Sequence, residues 1–327
     1  MDYIQVNEKT EVLKVNKKKG SPASVRIKRK KYLFVYLMLL PAVINFAIFY
    51  VGININSFIM AFQKQVGVGE SGFIYTFTFE NFIRFFRELS ISTYDVHISL
   101  INTLKYFLCG LLITLPISYF TAYFLYKKMW GHKFFKIVFF LPSIIPGLVY
   151  VSTFREMISY KGPLDQLYYS LFNSHLPQFL THADTATGAV IFFTIWTGLG
   201  INLLLYQGAM GRIPEEVIEA GKLDGVGWVR EMFQIITPMI WPTLSTTIVL
   251  SLSKIFMATG PLVLFDQAGS VTTYKMTTIS YLIYQQTSMT STLEYPAAIS
   301  VFFTVISFPI VMFLRWLMGK IDPEVSY

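Results

Sequence analysis

Few residues of this chain have side chains that could do chemistry. The four histidines, His97, His132, His175 and His182, are spread over the loops, and the closest two are seven residues apart without a third ligand nearby. Zinc sites need three or four protein ligands, so we expect no metal ion. The single cysteine, Cys109, lies in an apolar stretch and cannot form an internal disulfide. No Gly-x4-Gly-Lys-Ser/Thr phosphate-binding loop is present, so we expect no bound nucleotide or other cofactor.

The acidic residues that lie close together run from Glu215 to Glu231 and alternate with apolar residues in a helix–turn–helix pattern. A membrane-embedded enzyme acting on lipid or polyprenyl-linked substrates would need clustered acids or histidines for metal or acid–base chemistry. This segment has no Asp-x-x-Asp pair. The sequence therefore gives little support to the enzyme hypothesis, and a scaffold or assembly subunit is a further alternative.

Composition indicates that a bilayer surrounds most of this protein. Hydrophobic residues make up 54% of the chain and charged residues only 14%, against roughly 25% charged in soluble domains. Six apolar runs each reach the ~20 residues that a helix needs to cross a membrane. We therefore predict an all-α, polytopic integral membrane protein. The predicted spans are about 32–62, 97–126, 134–158, 188–210, 237–264 and 296–318, with kinks expected at the proline pairs Pro142/Pro146 and Pro238/Pro242.

Basic residues predict the orientation. Residues 1–31 carry ten lysines and arginines against three acids. A nucleic-acid-binding tail is the weaker interpretation, because an apolar run begins at Tyr32, and basic residues flanking a span favour the cytoplasmic side. With both termini inside, nineteen basic residues face the cytoplasm and five face outward. We expect a cytoplasmic tail (1–31), a six-helix domain that spans the plasma membrane (32–318) and a second cytoplasmic tail (319–327).

The segment 211–238 is the longest predicted inner loop. Pro214 suits the first position of a helix, and Asp224-Gly225 reads as a turn. After the turn, Trp228, Met232, Ile235 and Ile236 form an apolar stripe that leads into Pro238. The small residues Ala220, Gly221 and Gly225 would let another surface approach closely. This pattern fits both a rigid element that receives force from a soluble motor and an amphipathic hairpin lying on the inner leaflet.

The same segment resembles the EAA signature of binding-protein-dependent ABC importer permeases. That signature reads Glu-Ala-Ala, three residues, Gly, nine residues, Ile, any residue, Leu-Pro. The chain has Glu219-Ala220-Gly221, then Gly225, Ile235 and Thr237-Pro238 at the same spacing. It departs from the signature at Gly221 and Thr237.

Other motifs resemble the carbohydrate-uptake branch of this family, and together they cover roughly residues 32–318. They are Asn102-Thr103-Leu104, Leu141-Pro142 with Ile145-Pro146, Ile213-Pro214-Glu215-Glu216, Leu223-Asp224-Gly225, and Tyr295 with Ala297-Ala298-Ile299. Where the family usually has Gly-Gly-Pro after the fifth span, this chain reads Phe265-Asp266-Gln267-Ala268-Gly269. Contacts with an external binding protein at that loop therefore do not carry over.

The resemblance implies a sugar importer that works by alternating access. Its expected partners are a cytoplasmic ABC ATPase dimer that binds the ATP, a second permease subunit forming a heterodimer, an extracytoplasmic solute-binding protein, a sugar substrate and membrane lipid. Nucleic acid is not among them. In this scheme the ATPase-coupling residues are Glu219, Ala220, Gly221, Asp224 and Gly225.

Polar residues within the predicted spans are candidates for the substrate pathway. Lys254 lies in the middle of the fifth predicted span, where a charge is costly and usually functional. It could contact sugar hydroxyls or an acidic sugar, or it could snorkel or pair with an acid on a sister subunit. Asn102 and Asn202 could bond a sugar, or they could bridge helices.

Overall fold

The computed structural model describes residues 22–69, 72–256, 261–267, 276–289 and 292–322, which divide into two compact units after Asn56. The first unit is one long helical stretch that continues past the boundary. It consists of α1 (Pro22–Asn45), a π-helical segment (Phe46–Gly52) and the start of α2 (Ile53–Ala61). Most of the basic tail predicted for residues 1–31 lies outside the described residues.

The second unit is mostly helical. It begins with a two-stranded antiparallel ribbon, β1 (Gln63–Gly69) and β2 (Gly72–Phe77). Then come α3 (Glu80–Ser90), α4 (Asp95–Cys109), a π-helical segment (Gly110–Thr114), α5 (Leu115–Tyr126), α6 (His132–Ile144), α7 (Gly147–Ile158), α8 (Pro163–Phe172) and α9 (Ala183–Met210). The last part holds α10 (Glu215–Leu223), α11 (Trp228–Arg230), a third π-helical segment (Glu231–Ile236), α12 (Thr237–Met239), α13 (Trp241–Ser253), α14 (Leu262–Gln267), α15 (Ile279–Met289) and α16 (Glu294–Lys320).

Six regions of the described chain match the six predicted spans. Four are long apolar helices: Tyr32–Ala61, Asp95–Tyr126, Thr185–Met210 and Glu294–Lys320. The other two are pairs of helices separated by a sharp bend, and the total is six spans if each pair counts as one. His132–Ile144 turns by 111° into Gly147–Phe172, and Trp228–Met239 turns by 75° into Trp241–Ser253. The all-α membrane fold is thus confirmed.

The two bends occur at the predicted proline pairs. The first helix ends at Ile144, and Pro146 immediately precedes the first residue of the next helix, Gly147. The second break lies at Ile240, with Pro238 at the start of α12 and Pro242 at the start of α13. Proline has no N–H to donate and clashes with the preceding turn, so each pair ends one helix and allows another to begin in a new direction.

The fifth predicted span, 237–264, was wrong as a single helix. Its main helix, α13, ends at Ser253, and residues 254–256 form a turn. Hydropathy averages over a window and does not detect a helix end when the flanking residues stay apolar. Lys254 is therefore not in the middle of a helix but caps the carboxyl end of α13, with its backbone N–H donating to Leu250 O.

The amphipathic helix α3 packs against the amino-terminal part of α16. Phe85 of α3 is fully buried, and its ring lies 4.6 Å from that of Phe302 in α16. Arg84 stacks 3.9 Å over the ring of Tyr295, whose hydroxyl donates to Glu88 at 2.5 Å. The β ribbon before α3 was not predicted.

Helix α9 runs through the middle of the second unit and crosses α6 very closely. A Cβ built on Gly200 would lie 2.6 Å from the carbonyl oxygen of Phe139 and 3.3 Å from Ser143 Oγ. Small residues allow such crossings between membrane helices. Gly208, two turns later on the same helix, has no neighbouring atom within 4 Å of a Cβ.

Replacing Gly200 by Ala is therefore expected to force α6 and α9 apart. The added methyl group would overlap a backbone oxygen, so we expect a loss of about 1–3 kcal/mol, typical of overpacking. The measurement is the thermal unfolding midpoint of the purified protein in detergent. Gly208→Ala is the matched control and should leave the midpoint unchanged or raise it. Equal midpoints for the two variants would contradict the close crossing.

Candidate functional site

Helix α10 and the turn after it form the first part of the candidate site. Pro214 precedes the helix rather than opening it, with ψ of 135°. At the other end, Val226 N–H donates to Gly221 O at 3.0 Å, and Gly225 N–H donates to Lys222 O at 3.1 Å. This pair of bonds is a Schellman motif. The motif requires a residue in the left-handed conformation, and Gly225 has φ of +71°. The predicted Asp-Gly turn is therefore the carboxyl-terminal cap of α10.

The two faces of α10 differ. Ile218 is buried, and Gly221 is buried against Ile235, whose Cδ1 would lie 2.9 Å from an added Cβ. Gly221 therefore allows close packing within the chain, not the approach of another surface as its sequence suggested. The opposite face is open to solvent and carries Glu219, Ala220, Leu223, Asp224 and Gly225. Leu223 is 89% exposed.

The segment after the turn is helical from Trp228 to Met239 but contains the π-helical residues 231–236. Met232 and Ile236 of the predicted apolar stripe are fully buried, and Ile235 is partly buried. Trp228, the first residue of the stripe, is 56% exposed. The wider π turn shifts the residues that follow around the helix axis, which a regular helical spacing does not anticipate.

Helix α5 is bonded to this segment at three successive turns. Tyr119 hydroxyl donates to Met232 O at 3.1 Å and lies 2.6 Å from Thr237 Oγ1. Tyr123 hydroxyl donates to Trp228 O at 3.3 Å. Tyr119, Tyr123 and Lys127, the residue that caps the end of α5, are four residues apart, so their side chains lie on one face.

The third of these contacts is an ion pair. Lys127 Nζ lies 2.6 and 2.9 Å from the two carboxylate oxygens of Glu231. The Glu231 side chain is 6% exposed and that of Lys127 25% exposed. A buried carboxylate needs such a partner, because an unpaired charge away from water is costly.

A cavity of about 350 Å³ is the second part of the candidate site. It lies between α4, α9, α13 and the start of α14. One wall is the π-helical segment Gly110–Thr114, and π-helical bulges are frequent at functional sites. The residues that line it are Thr103, Tyr106, Phe107, Gly110, Leu111, Thr114, Leu115, Thr194, Gly198, Asn202, Ser251, Lys254, Ile255, Pro261, Leu262 and Thr278.

Two of the three predicted pathway residues line this cavity. Asn202 and Lys254 both do, whereas Asn102 is buried and donates to Thr277 O at 3.1 Å. Asn102 thus connects α4 to the segment before α15, which matches the helix-bridging interpretation. Asn202 donates to Gly198 O within its own helix, and its side chain remains partly buried at the cavity.

Several residues that matter in this geometry were not singled out from the sequence. Leu223 appeared in the sequence only as part of a motif, because the exposure of a leucine at a helix end is visible only in three dimensions. Tyr119, Tyr123 and Lys127 could have been found from their four-residue spacing. The Tyr106 hydroxyl is buried and has no hydrogen-bond partner among the described residues, which no sequence pattern indicates.

The chain is similar to proteins of known transport systems. A family model described as "Binding-protein-dependent transport system inner membrane component" matches residues 114–327. The arabinooligosaccharides transport system permease protein AraP of Bacillus subtilis is 25% identical over 301 residues, 88% of this chain and 90% of the relative. The multiple sugar-binding transport system permease protein MsmF of Streptococcus mutans is 25% identical over 188 residues, 55% of this chain and 61% of the relative.

One solved structure has the same fold along nearly the whole chain. It is a bacterial alginate ABC transporter in complex with an alginate pentasaccharide-bound periplasmic protein. The match has a TM-score of 0.77 at 22% identity and covers 91% of this chain and 98% of that one. Since the family model covers well over half of the sequence, the chain belongs to the inner membrane components of binding-protein-dependent transport systems.

Proposed function

We propose that this protein is the membrane-spanning permease subunit of an ABC importer for carbohydrate. Membership of the binding-protein-dependent family is the observation that carries this proposal. The names of AraP and MsmF, both sugar transport permeases, favour carbohydrate as the substrate class. These similarities give no support to the alternative of a lipid-modifying enzyme.

The partners follow from the family and from the exposed surface of α10. ATP would be bound by a separate cytoplasmic ATPase dimer, and we propose α10 as the element that docks on it. Glu219 and Asp224 are exposed and form no ion pair within the described part of the chain. They are therefore available to basic residues of a partner. We propose the orientation in which both chain termini and α10 lie in the cytoplasm, as the distribution of basic residues predicts.

Two further partners complete the proposed transporter. The solved alginate transporter was captured with a periplasmic binding protein, and we propose that an extracytoplasmic binding protein delivers sugar to this chain as well. We also propose a second, related permease subunit.

The contacts between α5 and the segment after α10 support a coupling role. A docking helix can transmit motion only if it is rigidly connected to the membrane helices. Ile213 and Ile218 share one apolar cluster with Tyr123 of α5 and Leu203 of α9. Movement of α10 would thus be passed to two membrane-spanning helices.

Sugar uptake tests the whole proposal. Deletion of the gene should abolish growth on at least one oligosaccharide, and purification of the tagged chain should recover an ATPase subunit and a second permease. Recovery of the chain alone, with unchanged growth on every carbohydrate tested, would refute it.

Leu223→Asp is expected to weaken binding of the ATPase without unfolding the permease. The side chain is 89% exposed, so the substitution removes no internal contact. It places a charge where we propose that Leu223 makes an apolar contact with the ATPase. Loss of a buried apolar anchor at an interface typically costs about 2 kcal/mol or more, which lowers affinity at least tenfold. The measurement is retention of the ATPase on the immobilised permease.

Leu171→Asp is the matched control for that experiment. Leu171 lies near the end of the short helix α8 and is 68% exposed, and its loop is predicted on the other side of the membrane. The control should retain the ATPase fully. If both variants retain it equally, α10 is not the docking element.

Glu231→Gln is expected to destabilise the connection between α5 and the segment after α10. It would leave the Lys127 ammonium without its counter-charge, at a cost of about 2–4 kcal/mol, because the pair is largely buried. The rate of transport-coupled ATP hydrolysis should fall as well, because the connection between α5 and the segment after α10 is weakened. The measurements are the thermal midpoint and the substrate-stimulated ATPase rate of the assembled complex.

The double variant Lys127→Met/Glu231→Met distinguishes an unpaired charge from a lost connection. Replacing a buried ion pair by apolar residues is often nearly neutral, so the double variant should recover most of the thermal midpoint. Glu216→Gln changes an exposed carboxylate on α10 and should have little effect. If Glu231→Gln is as stable as the unmodified protein, the Lys127–Glu231 pair does not have the role proposed for it.

A further inference from the structure

The turn between α5 and α6 is rich in lysine and lies in a stretch without acids. Residues 96–155 contain no Asp or Glu. The α5–α6 hairpin, which we define as residues 127–137, carries the lysines Lys127, Lys128, Lys133 and Lys136. Lys127 pairs with Glu231, whereas the other three are exposed and form no ion pair within the described part of the chain. The hairpin therefore presents three ammonium groups without an acidic partner.

Lys128 adopts a backbone conformation that glycine usually provides. It ends α5 in a Schellman motif, in which Met129 N–H donates to Phe124 O at 3.4 Å and Lys128 N–H donates to Leu125 O at 3.1 Å. Its φ of +52° lies in the left-handed region, where a side chain costs stability that glycine would not cost. Residues held in strained conformations cluster at functional sites. The position therefore points to a use of the lysine side chain outside the helix cap.

Uncovered apolar side chains continue from the lysines along α6. Lys133, Ile137 and Leu141 are four residues apart, so they lie on one face of the helix. Ile137 is 65% exposed and Leu141 is 48% exposed, and α6 is the first half of a bent membrane span. At the tip of the hairpin, Trp130 is 97% exposed. One face of α6 thus has an ammonium group in its first turn and open apolar surface in the next two turns.

The hairpin lies at the same end of the helices as α10. The Lys127–Glu231 pair joins it to the segment that follows α10. A second exposed tryptophan, Trp316, has Lys320 Nζ 4.2 Å above its ring near the carboxyl end of α16. Tryptophan is enriched where membrane meets water, and lysine extends its ammonium group to the same level. The exposed Trp130 and its neighbouring lysines therefore match the level of the lipid head groups.

We propose that the α5–α6 hairpin binds an anionic phospholipid of the surrounding leaflet. The head-group phosphate contacts the three lysines that have no acidic partner, the acyl chains lie along Ile137 and Leu141, and Trp130 lies at the boundary. Basic clusters beside a membrane span attract anionic lipids. A soluble partner could meet the charges but could not reach apolar residues within the span, so the combination favours a lipid. Assignment to the cytoplasmic leaflet rests on the orientation proposed above.

Quenching of tryptophan fluorescence by brominated lipid tests this site. The purified full-length chain is placed in nanodiscs of equal parts phosphatidylglycerol and phosphatidylcholine. Bromine is in the acyl chains of the anionic lipid in one preparation and of the zwitterionic lipid in the other. The quenching that is lost in Trp130→Phe reports on the hairpin. It should show that the anionic lipid occupies the site at least about fivefold more often, because each lysine near an anionic surface contributes roughly this factor to affinity.

Lys133→Gln/Lys136→Gln is expected to make quenching by the two brominated lipids nearly equal. Arg87→Gln/Lys161→Gln is the matched control, because it removes the same charge from exposed residues of two other loops and should keep the preference. Lys128→Gly should lower the preference several-fold. Its thermal midpoint in phosphatidylcholine alone should be unchanged or higher, since glycine adopts the left-handed conformation without strain.

Equal quenching by the two lipids in the unmodified protein would overturn the lipid site, and so would an unchanged preference in Lys133→Gln/Lys136→Gln. A preference that is lost equally in Arg87→Gln/Lys161→Gln would indicate general attraction by net charge and would overturn it as well. The measurement uses neither ATP nor sugar. Its failure would therefore leave the proposed transport function intact, and a failure of sugar uptake would leave the lipid site intact.

Discussion

The attachment of the 211–238 loop to α5 is the constraint on which the coupling scheme depends. A surface helix of nine residues has little stability of its own, since helices shorter than about 12–15 residues are marginal in water. Here α10 is held by its own buried Ile218, which packs in the apolar cluster, and by a Schellman turn at its end. The turn leads directly into the segment that α5 fixes through Tyr119, Tyr123 and the Lys127–Glu231 pair. Without that attachment, a force applied to α10 would be lost in loop motion.

The fold was largely predictable because its determinants are local. Apolar length defines six crossings, and proline pairs mark where two of them bend, so both features could be derived from composition and spacing. The β ribbon was missed, since Gln63–Gly69 alternates only weakly between polar and apolar residues. The end of α13 was missed for a different reason. It lies inside an apolar run, and a hydropathy window does not distinguish a helix from a turn of the same composition.

The candidate site was predictable to a lesser degree. The spacing of the signature located the turn, and Gly225 indeed adopts the left-handed conformation that only glycine readily accepts. The direction in which each small residue points could not be derived. Gly221 packs against Ile235, whereas Ala220 is open to solvent. Likewise, Asn102 and Asn202 are equally polar residues in predicted spans, and only the three-dimensional arrangement places one in a helix contact and the other at the cavity.

The departure of this chain from the signature at Thr237 has a physical counterpart in α5. Thr237 Oγ1 donates to Met232 O at 2.8 Å and lies 2.6 Å from the Tyr119 hydroxyl. Both hydroxyls thus satisfy a carbonyl within a π-helical turn, where regular bonding is disturbed. A leucine at this position could bond neither group, and the Tyr119 hydroxyl would keep Met232 O as its single partner. The threonine is therefore tied to Tyr119, and the two residues together stiffen the junction between the loop and the bent fifth span.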